Sequence, residues 1–366
     1  MKKLYVIPLL IILIFFYACS NSKKESLKIG LIAGLSGKYS DLGNSVLRGA
    51  SLAFEEVGFK INDQPIELIV KDDKQDEKVA LTQIQSLLNS DIHLIIGNAT
   101  SSMTKISIDA IKDKKDVLLI SPSASSDEFS NIDDNFLRTH VAHSPERFDE
   151  ISDYLLTQKI SKIAFIYDEK NLSYVNAYMD NFEKSFQRHG GEKNVLKASI
   201  NEPFPELLKK LNAANEDLIV MVANSIDSAK FIQYLRINHN TKKVLSSLWA
   251  KTTDFVVNGG KHVEGVMFVT ELDDTSSTYR YLNFVKMYQK RYAQMPSVFA
   301  AQAYETAHII IEALRNNSNI ASLKHTLLSQ KSYDGLQGKI IFNEFGDVFR
   351  EHFIVIIKNG QFVKKD

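Results

Sequence analysis

The feature that most constrains the fold is the regular alternation of short apolar runs with longer amphipathic stretches. Runs at 27–33, 66–70, 92–96, 117–120, 163–167, 218–222, 244–248 and 266–269 are short, apolar and bounded by turn residues, as buried strands should be. Between them, segments near 42–57, 77–88, 103–112, 144–156, 174–188, 205–214, 228–239, 279–292, 299–315 and 320–328 read as helices. Strand and helix taking turns at this spacing predict parallel sheets covered by helices on both faces. The strands outnumber what one sheet needs, so the expected fold class is α/β with two doubly wound parallel-sheet lobes. The C-terminal stretch departs from the alternation. There 338–347 reads as a strand followed by a turn, and 352–357 with 361–363 reads as a hairpin around Asn359-Gly360.

The chain has one cysteine, so it can form no internal disulfide, no multi-cysteine zinc cluster and no CxxC redox pair. That cysteine is Cys19. It follows Met1-Lys2-Lys3, an apolar run from Leu4 to Tyr17, and Ala18, which are the parts of a secretory signal. The run is shorter than the roughly 20 apolar residues that usually span a bilayer. Ala18-Cys19 resembles a bacterial lipobox, with Phe16 where Leu is usual, which implies that Cys19 is lipidated and becomes the new N-terminus. The expected division is a signal peptide at 1–18 and a lipidated tether at 19–26, with the folded body lipid-anchored in the periplasm or at the cell surface. An uncleaved anchor helix and a free buried thiol are the alternatives. With 44 Lys plus Arg against 44 Asp plus Glu, the balance gives no support to nucleic acid as a partner.

Motifs for catalysis are missing. There is no H-E-x-x-H, and of the nine His residues only His140 and His143 stand at a spacing suited to a metal, with no third ligand near. They read as a satisfied or solvent-facing pair. Gly30, Gly34 and Gly37 fit neither a dinucleotide turn nor a Walker loop, and Gly34-Leu35-Ser36-Gly37 is not a nucleophile elbow. The expectation is therefore no enzyme, no cofactor and no metal. Two hydroxyl-rich stretches are more informative: Gly97-Asn98-Ala99-Thr100-Ser101-Ser102 and Ser121-Pro122-Ser123-Ala124-Ser125-Ser126, each following an apolar strand. Backbone N–H groups at such a strand-to-helix junction suit an anion such as a carboxylate, and both junctions fall on one sheet edge. Plain helix capping is the competing reading.

Leu35-Ser36-Gly37 with Gly43, Arg48-Gly49-Ala50, Lys71-Asp72-Asp73, Ile96-Gly97 with Ser101-Ser102, Ser121 to Ser125, Phe136-Leu137-Arg138-Thr139, Gly259-Gly260 with Glu264-Gly265-Val266, and Ala303-Tyr304 follow one another in an order that resembles the type I periplasmic solute-binding proteins of branched-chain amino-acid ABC transporters. The resemblance implies a three-crossover hinge joining lobe one, 27–139 plus 272–345, to lobe two, 140–271 plus 346–366. It also implies a cleft in which Ser101, beside Ser102, and Ser125 hold a solute carboxylate, the Ser123 carbonyl takes an ammonium, and Phe299 lines the side-chain pocket. A membrane permease is the implied partner, with a signalling partner as the alternative.

The departures from the family are specific. Leucine-binding members place Glu near Leu248-Trp249 and Tyr near Leu42, Leu172 and Ser225, and all of these differ here. A buried ammonium without an anion costs several kcal/mol. Either Asp168, Asp227 or Glu271 supplies the charge, or the solute has no amine. Leu172 remains a candidate contact, and Trp249 either stacks on the solute or fills a lobe core.

Overall fold

A computed structural model describes residues 24–365, so the expectations for the signal peptide and Cys19 lie outside the described residues. The first half of the chain builds β1 (Leu27–Ala33), α1 (Ser40–Glu56), β2 (Lys60–Ile61), β3 (Gln64–Asp72), α2 (Glu77–Asn89), β4 (Leu94–Gly97), α3 (Ser101–Ile111), β5 (Leu118–Ser121) and β6 (Phe136–Arg138). Their sheet has the order β2-β3-β1-β4-β5-β6 and is parallel except for the β2–β3 hairpin. Every residue of β4 and β5 is buried, as a strand covered on both faces requires.

The chain then forms α4 (Asp149–Thr157), β7 (Ile163–Tyr167), α5 (Leu172–Arg188), β8 (Leu196–Ser199), α6 (Phe204–Ala214), β9 (Leu218–Val222), α7 (Ser225–Ile237), β10 (Lys243–Ser246), α8 (Thr253–Gly259) and β11 (Met267–Thr270). It returns to the first half as α9 (Tyr279–Tyr292), α10 (Val298–Asn316) and α11 (Leu323–Gln330), followed by a small sheet of β12 (Ser332–Gly335), β13 (Gly338–Phe342) and β14 (Val348–Phe349). The last hairpin, β15 (Phe353–Lys358) and β16 (Gln361–Lys364), joins the second large sheet, whose order is β16-β15-β11-β10-β9-β7-β8. The fold is thus mixed α/β with two parallel-sheet lobes, the second carrying an antiparallel edge contributed by the C-terminus.

The chain crosses between the halves after Arg138, after Thr270 and after Phe349. The third crossing falls later than the expected boundary at 345. Gly346 accepts a backbone hydrogen bond from Arg138, and Val348–Phe349 pairs with β13, which ties 346–349 to the first half. The helix expected over 144–156 opens instead as a short 3-10 turn, Pro145–Phe148, before α4 begins. The strands β2, β8, β12 and β14 escape the apolar pattern because they are short or only partly buried.

Helix α1 lies against α10 at close range. A Cβ on Gly49 would stand 2.0 Å from the Ala300 carbonyl oxygen, so only glycine permits this approach. The contact fixes the first turn of α10, which carries the buried Phe299.

Candidate functional site

In the first sheet β1 pairs with β3 on one side and β4 on the other, so strand order reverses there. Open α/β sheets form their ligand crevice at the carboxyl ends of strands at such a reversal. Gly97 closes β4 with φ +128°, where a Cβ would meet the Ile32 carbonyl oxygen at 2.1 Å. The hydroxyl stretch that follows does not cap its own helix. Thr100, at the N-cap of α3, makes no side-chain cap bond and donates instead to Gln75 Oε1 at 2.9 Å. Ser101 Oγ accepts from the backbone N–H groups of Ser125 and Ser126, both at 3.2 Å. Ser123 Oγ donates to the Ala99 carbonyl at 2.8 Å. The two hydroxyl loops are therefore laced to each other at the strand ends, and Ser101, Ser123 and Ser125 are buried together.

Ser102 and Leu172 occupy a different place. The Ser102 N–H donates to Asn171 Oδ1 at 3.0 Å, and its hydroxyl accepts from the Ser173 N–H at 3.2 Å, so this serine is engaged by the second half. Leu172 opens α5 with 45% of its surface exposed and lines an outer hollow of about 540 Å³ with Ser102, Lys105 and Asp180. Both lie at the rim, away from the buried serines. Phe299 is buried within the same apolar cluster as Trp249.

The halves are closed on one another. Lys38 Nζ meets Asp227 at 2.7 Å, Thr252 Oγ1 donates to Asp41 at 2.7 Å, and Gln75 Nε2 donates to the Lys170 carbonyl at 2.9 Å. Trp249 sits at this seam. Its ring stacks on Tyr39 from the first half, with centroids 6.0 Å apart, and meets the edge of Tyr174 at 6.1 Å. Tyr174 and Tyr178, one turn apart on α5, then flank the His143 ring at 4.9 and 5.3 Å. His143 Nε2 in turn lies 3.2 Å from Ser125 Oγ, so the aromatic wall runs from the seam to the serines. Burial pushes the Tyr174 hydroxyl up to about 12, against the opposing pull of Ser247, Arg147 and the Trp249 backbone. None of the acids expected to replace the missing Glu is left for an ammonium on easy terms. Glu271 contacts the Arg147 guanidinium, Asp227 pairs with Lys38, and Asp168 accepts from Asn224 Nδ2 at 2.8 Å and the Lys170 N–H at 3.0 Å.

Buried ion pairs mark each crossing. Arg138 pairs with Asp347, Arg147 with Glu271, and Arg350 makes two bonds to Glu305 at 2.6 and 3.0 Å. Burial alone would raise the Glu271 carboxyl, but the Arg147 and Arg350 guanidinium groups outweigh it and hold the group below its usual range. These arginines and their partners stand far apart in sequence, and no local pattern announces them. The two histidines are both buried: His140 Nδ1 lies 2.7 Å from Gln302 Nε2, and no group of residues suited to a metal ion occurs among the described residues.

The same histidines set a pH dependence. Burial lowers His140 to about 4 despite Glu271, and burial with Arg147 lowers His143 well below the imidazole norm. Both are neutral in the folded protein and take up protons on unfolding. Their contribution is complete above about pH 6.5 and is lost as the pH falls toward 4, by up to about 1.4 kcal/mol per unit for each ring. Urea denaturation at pH 7, 6, 5 and 4 should show stability falling from pH 6.5 downward, and a profile flat to pH 4.5 would contradict neutral burial.

Residues 26–361 match the family described as Periplasmic binding protein. A "Leu/Ile/Val-binding protein homolog 3" of Brucella melitensis is 21% identical over 345 residues, covering 91% of this chain and 92% of that protein. A solute-binding protein of an R. palustris ABC transporter, solved with benzoate, superposes with a TM-score of 0.84 at 19% identity over 93% of this chain and 95% of its own. A branched-chain amino acid transporter substrate-binding protein of Streptococcus pneumoniae, solved with isoleucine, gives a TM-score of 0.80 at 23% identity over 93% of this chain and all of its own, 100%. No helix among the described residues is long and apolar enough to cross a membrane.

Proposed function

The chain belongs to the periplasmic binding protein family as a solute-binding protein of the branched-chain amino-acid transporter type, not an enzyme, and from that premise we propose that it is a lipid-anchored receptor that captures a small carboxylate lacking an α-amine and hands it to a membrane permease. The observation that carries this reading is that Leu248-Trp249, the stretch near which the resemblance expects Glu, offers no acid and stacks Trp249 on Tyr39, while Glu271 and Asp227 are paired with cations and Asp168 accepts from Asn224 and the Lys170 N–H. The carboxylate end would rest on the hydroxyls of Ser101 and Ser125, the first of them held in place by the Ser125 and Ser126 N–H groups that donate to it, at the mouth of a helix whose first turn has no side-chain cap. Benzoate, held by the R. palustris neighbour, is an amine-free acid of this kind. Hinge closure brings the seam residues over the solute, and the closed form is what a permease would recognise. The basic start, apolar run and Ala18-Cys19 support the lipid anchor.

A thermal-shift screen of amino acids, their amides and amine-free acids tests the reading, because a ligand that binds only the folded state raises its melting temperature. Amine-free acids are expected to give the largest shifts. A larger shift with leucine, isoleucine or valine would overturn the amine-free assignment.

A further inference from the structure

We propose that Ser225 and Thr252 are positioning residues for solute capture, whose hydroxyls receive the Asp41 carboxylate of the first half and so let the two halves shut. This goes beyond the reading above, because it concerns the closing motion and not the solute. Residues 38–41, at the start of α1, reach the carboxyl ends of three strands of the second sheet. Lys38 meets Asp227 after β9, the Tyr39 ring stacks on Trp249 after β10, and the Tyr39 hydroxyl lies 3.4 Å from Asp168 after β7. Asp41 Oδ2 accepts from Ser225 Oγ at 2.5 Å and from Thr252 Oγ1 at 2.7 Å. All of these contacts join protein groups, so they are on offer whether or not the serine loops hold a solute.

The Asp41 contact differs in kind from its neighbours. The Lys38 side chain is 45% exposed, so water screens its pair with Asp227 and the pair contributes little. Asp168 is buried among neutral partners, but Asn224 and the Lys170 N–H belong to its own half and stay with it when the hinge opens. Asp41 keeps only the Leu42 N–H, at 2.6 Å, from its own half; its other two donors come from across the seam. Burial raises the Asp41 carboxyl above its usual range, against the pull of Ser225, Thr252 and the Leu42 N–H, and Asp254 adds to the rise. Closing therefore takes water from a carboxylate that gains no cation in return, and the two hydroxyls are what replace that water. Hydrogen bonds to a charged group are the strong ones, and a charge buried without them is costly.

Neither hydroxyl is engaged by its own helix. Thr252 stands at the N-cap of α8 and makes no side-chain cap bond there, while α7, which Ser225 opens, is capped by Asn224. The loop that carries Thr252 is also braced from behind. Lys251 Nζ pairs with Asp274 at 2.5 Å, with the lysine side chain 1% exposed. Next to it, the Asp273 N–H donates to Gln337 Oε1 at 2.9 Å and Gln337 Nε2 donates to the Asp273 carbonyl at 2.7 Å. The second crossing thus grips the loop on its hinge side and presents Thr252 to α1 at a fixed place.

Acrylamide quenching of Trp249 in the full chain without solute tests this. Trp249 is the only tryptophan in the chain and is 2% exposed against Tyr39, so its quenching reports how far the halves have parted. Small-angle X-ray scattering supplies the radius of gyration as a second readout. Ser225→Ala with Thr252→Val should move the balance toward the open form by about tenfold or more, the scale of a lost hydrogen bond to a charged group. Stronger quenching and a larger radius of gyration would show it, with a cooperative melt retained. Adding Asp41→Ala removes the stranded charge and should bring both readouts back toward the parent, whereas a mere packing role would make this triple variant the most open. Ser225→Thr with Thr252→Ser keeps both hydroxyls and should match the parent. If the double variant loses its cooperative melt, Thr252→Val alone, with and without Asp41→Ala, carries the same comparison. Readouts unchanged in the hydroxyl-free variant, or no recovery on removing Asp41, would overturn the proposal. No solute enters the measurement, so neither result bears on the amine-free reading.

Discussion

Replacing Arg147 by Met is expected to destabilise the folded protein by about 3–5 kcal/mol, because it strands the Glu271 carboxylate in a buried site. The Arg147 and Glu271 side chains are 3% and 1% exposed, so water cannot take over the lost interaction. Glu271 would then answer by binding a proton, and the loss should be smaller at low pH, where the carboxyl is already neutral. Because Arg147 follows the first crossing and Glu271 begins the second, the pair joins two of the three strands of the hinge. Urea denaturation of Arg147→Met, and of the double variant Arg147→Met with Glu271→Met, separates the cost of an unpaired charge from the worth of the pair. The double variant should recover much of the loss, since apolar replacement of a whole buried pair is often neutral. If the single variant loses less than about 1 kcal/mol, the pair is not desolvated as the structure has it.

The second large effect is on binding. Ser101→Ala combined with Ser125→Ala should weaken the best carboxylate by about 100-fold or more, since hydrogen bonds to a charged group contribute about 1.5–3 kcal/mol each. Ser101 Oγ also accepts from two buried N–H groups, so some stability will be lost with it. Melting temperature without ligand measures that part, and calorimetric affinity measures the rest. An affinity changed by less than about threefold in a folded double variant would move the carboxylate away from these serines.

How much of this was legible in the residues depended on distance along the chain. Strands such as Ile163–Tyr167 and Leu218–Val222 were readable to the residue because burial on both faces demands an unbroken apolar run. The serine loops were readable as well, since a hydroxyl cluster directly after a strand is a local pattern. Whether those hydroxyls cap a helix or face a cleft was not readable. The structure shows only that Thr100 leaves the cap unmade and donates to Gln75, 25 positions away in sequence. Leu172 shows the limit from the other side: the resemblance pointed to the cleft, whereas the residue opens α5 with its side chain turned to the rim.

Local order in the residues determined the α/β class, the two sheets and the hydroxyl loops at the carboxyl ends of the strands. These follow from chain-local physics: burial period and turn chemistry. The tertiary structure alone decided that Tyr39 faces Trp249, that Tyr174 and Tyr178 flank His143, and that Arg147 neutralises Glu271. Each of those pairings joins residues that meet only once separate strands and helices have packed. The ring-built wall is a property of that packing, because charge compensation and ring contact depend on distance in space.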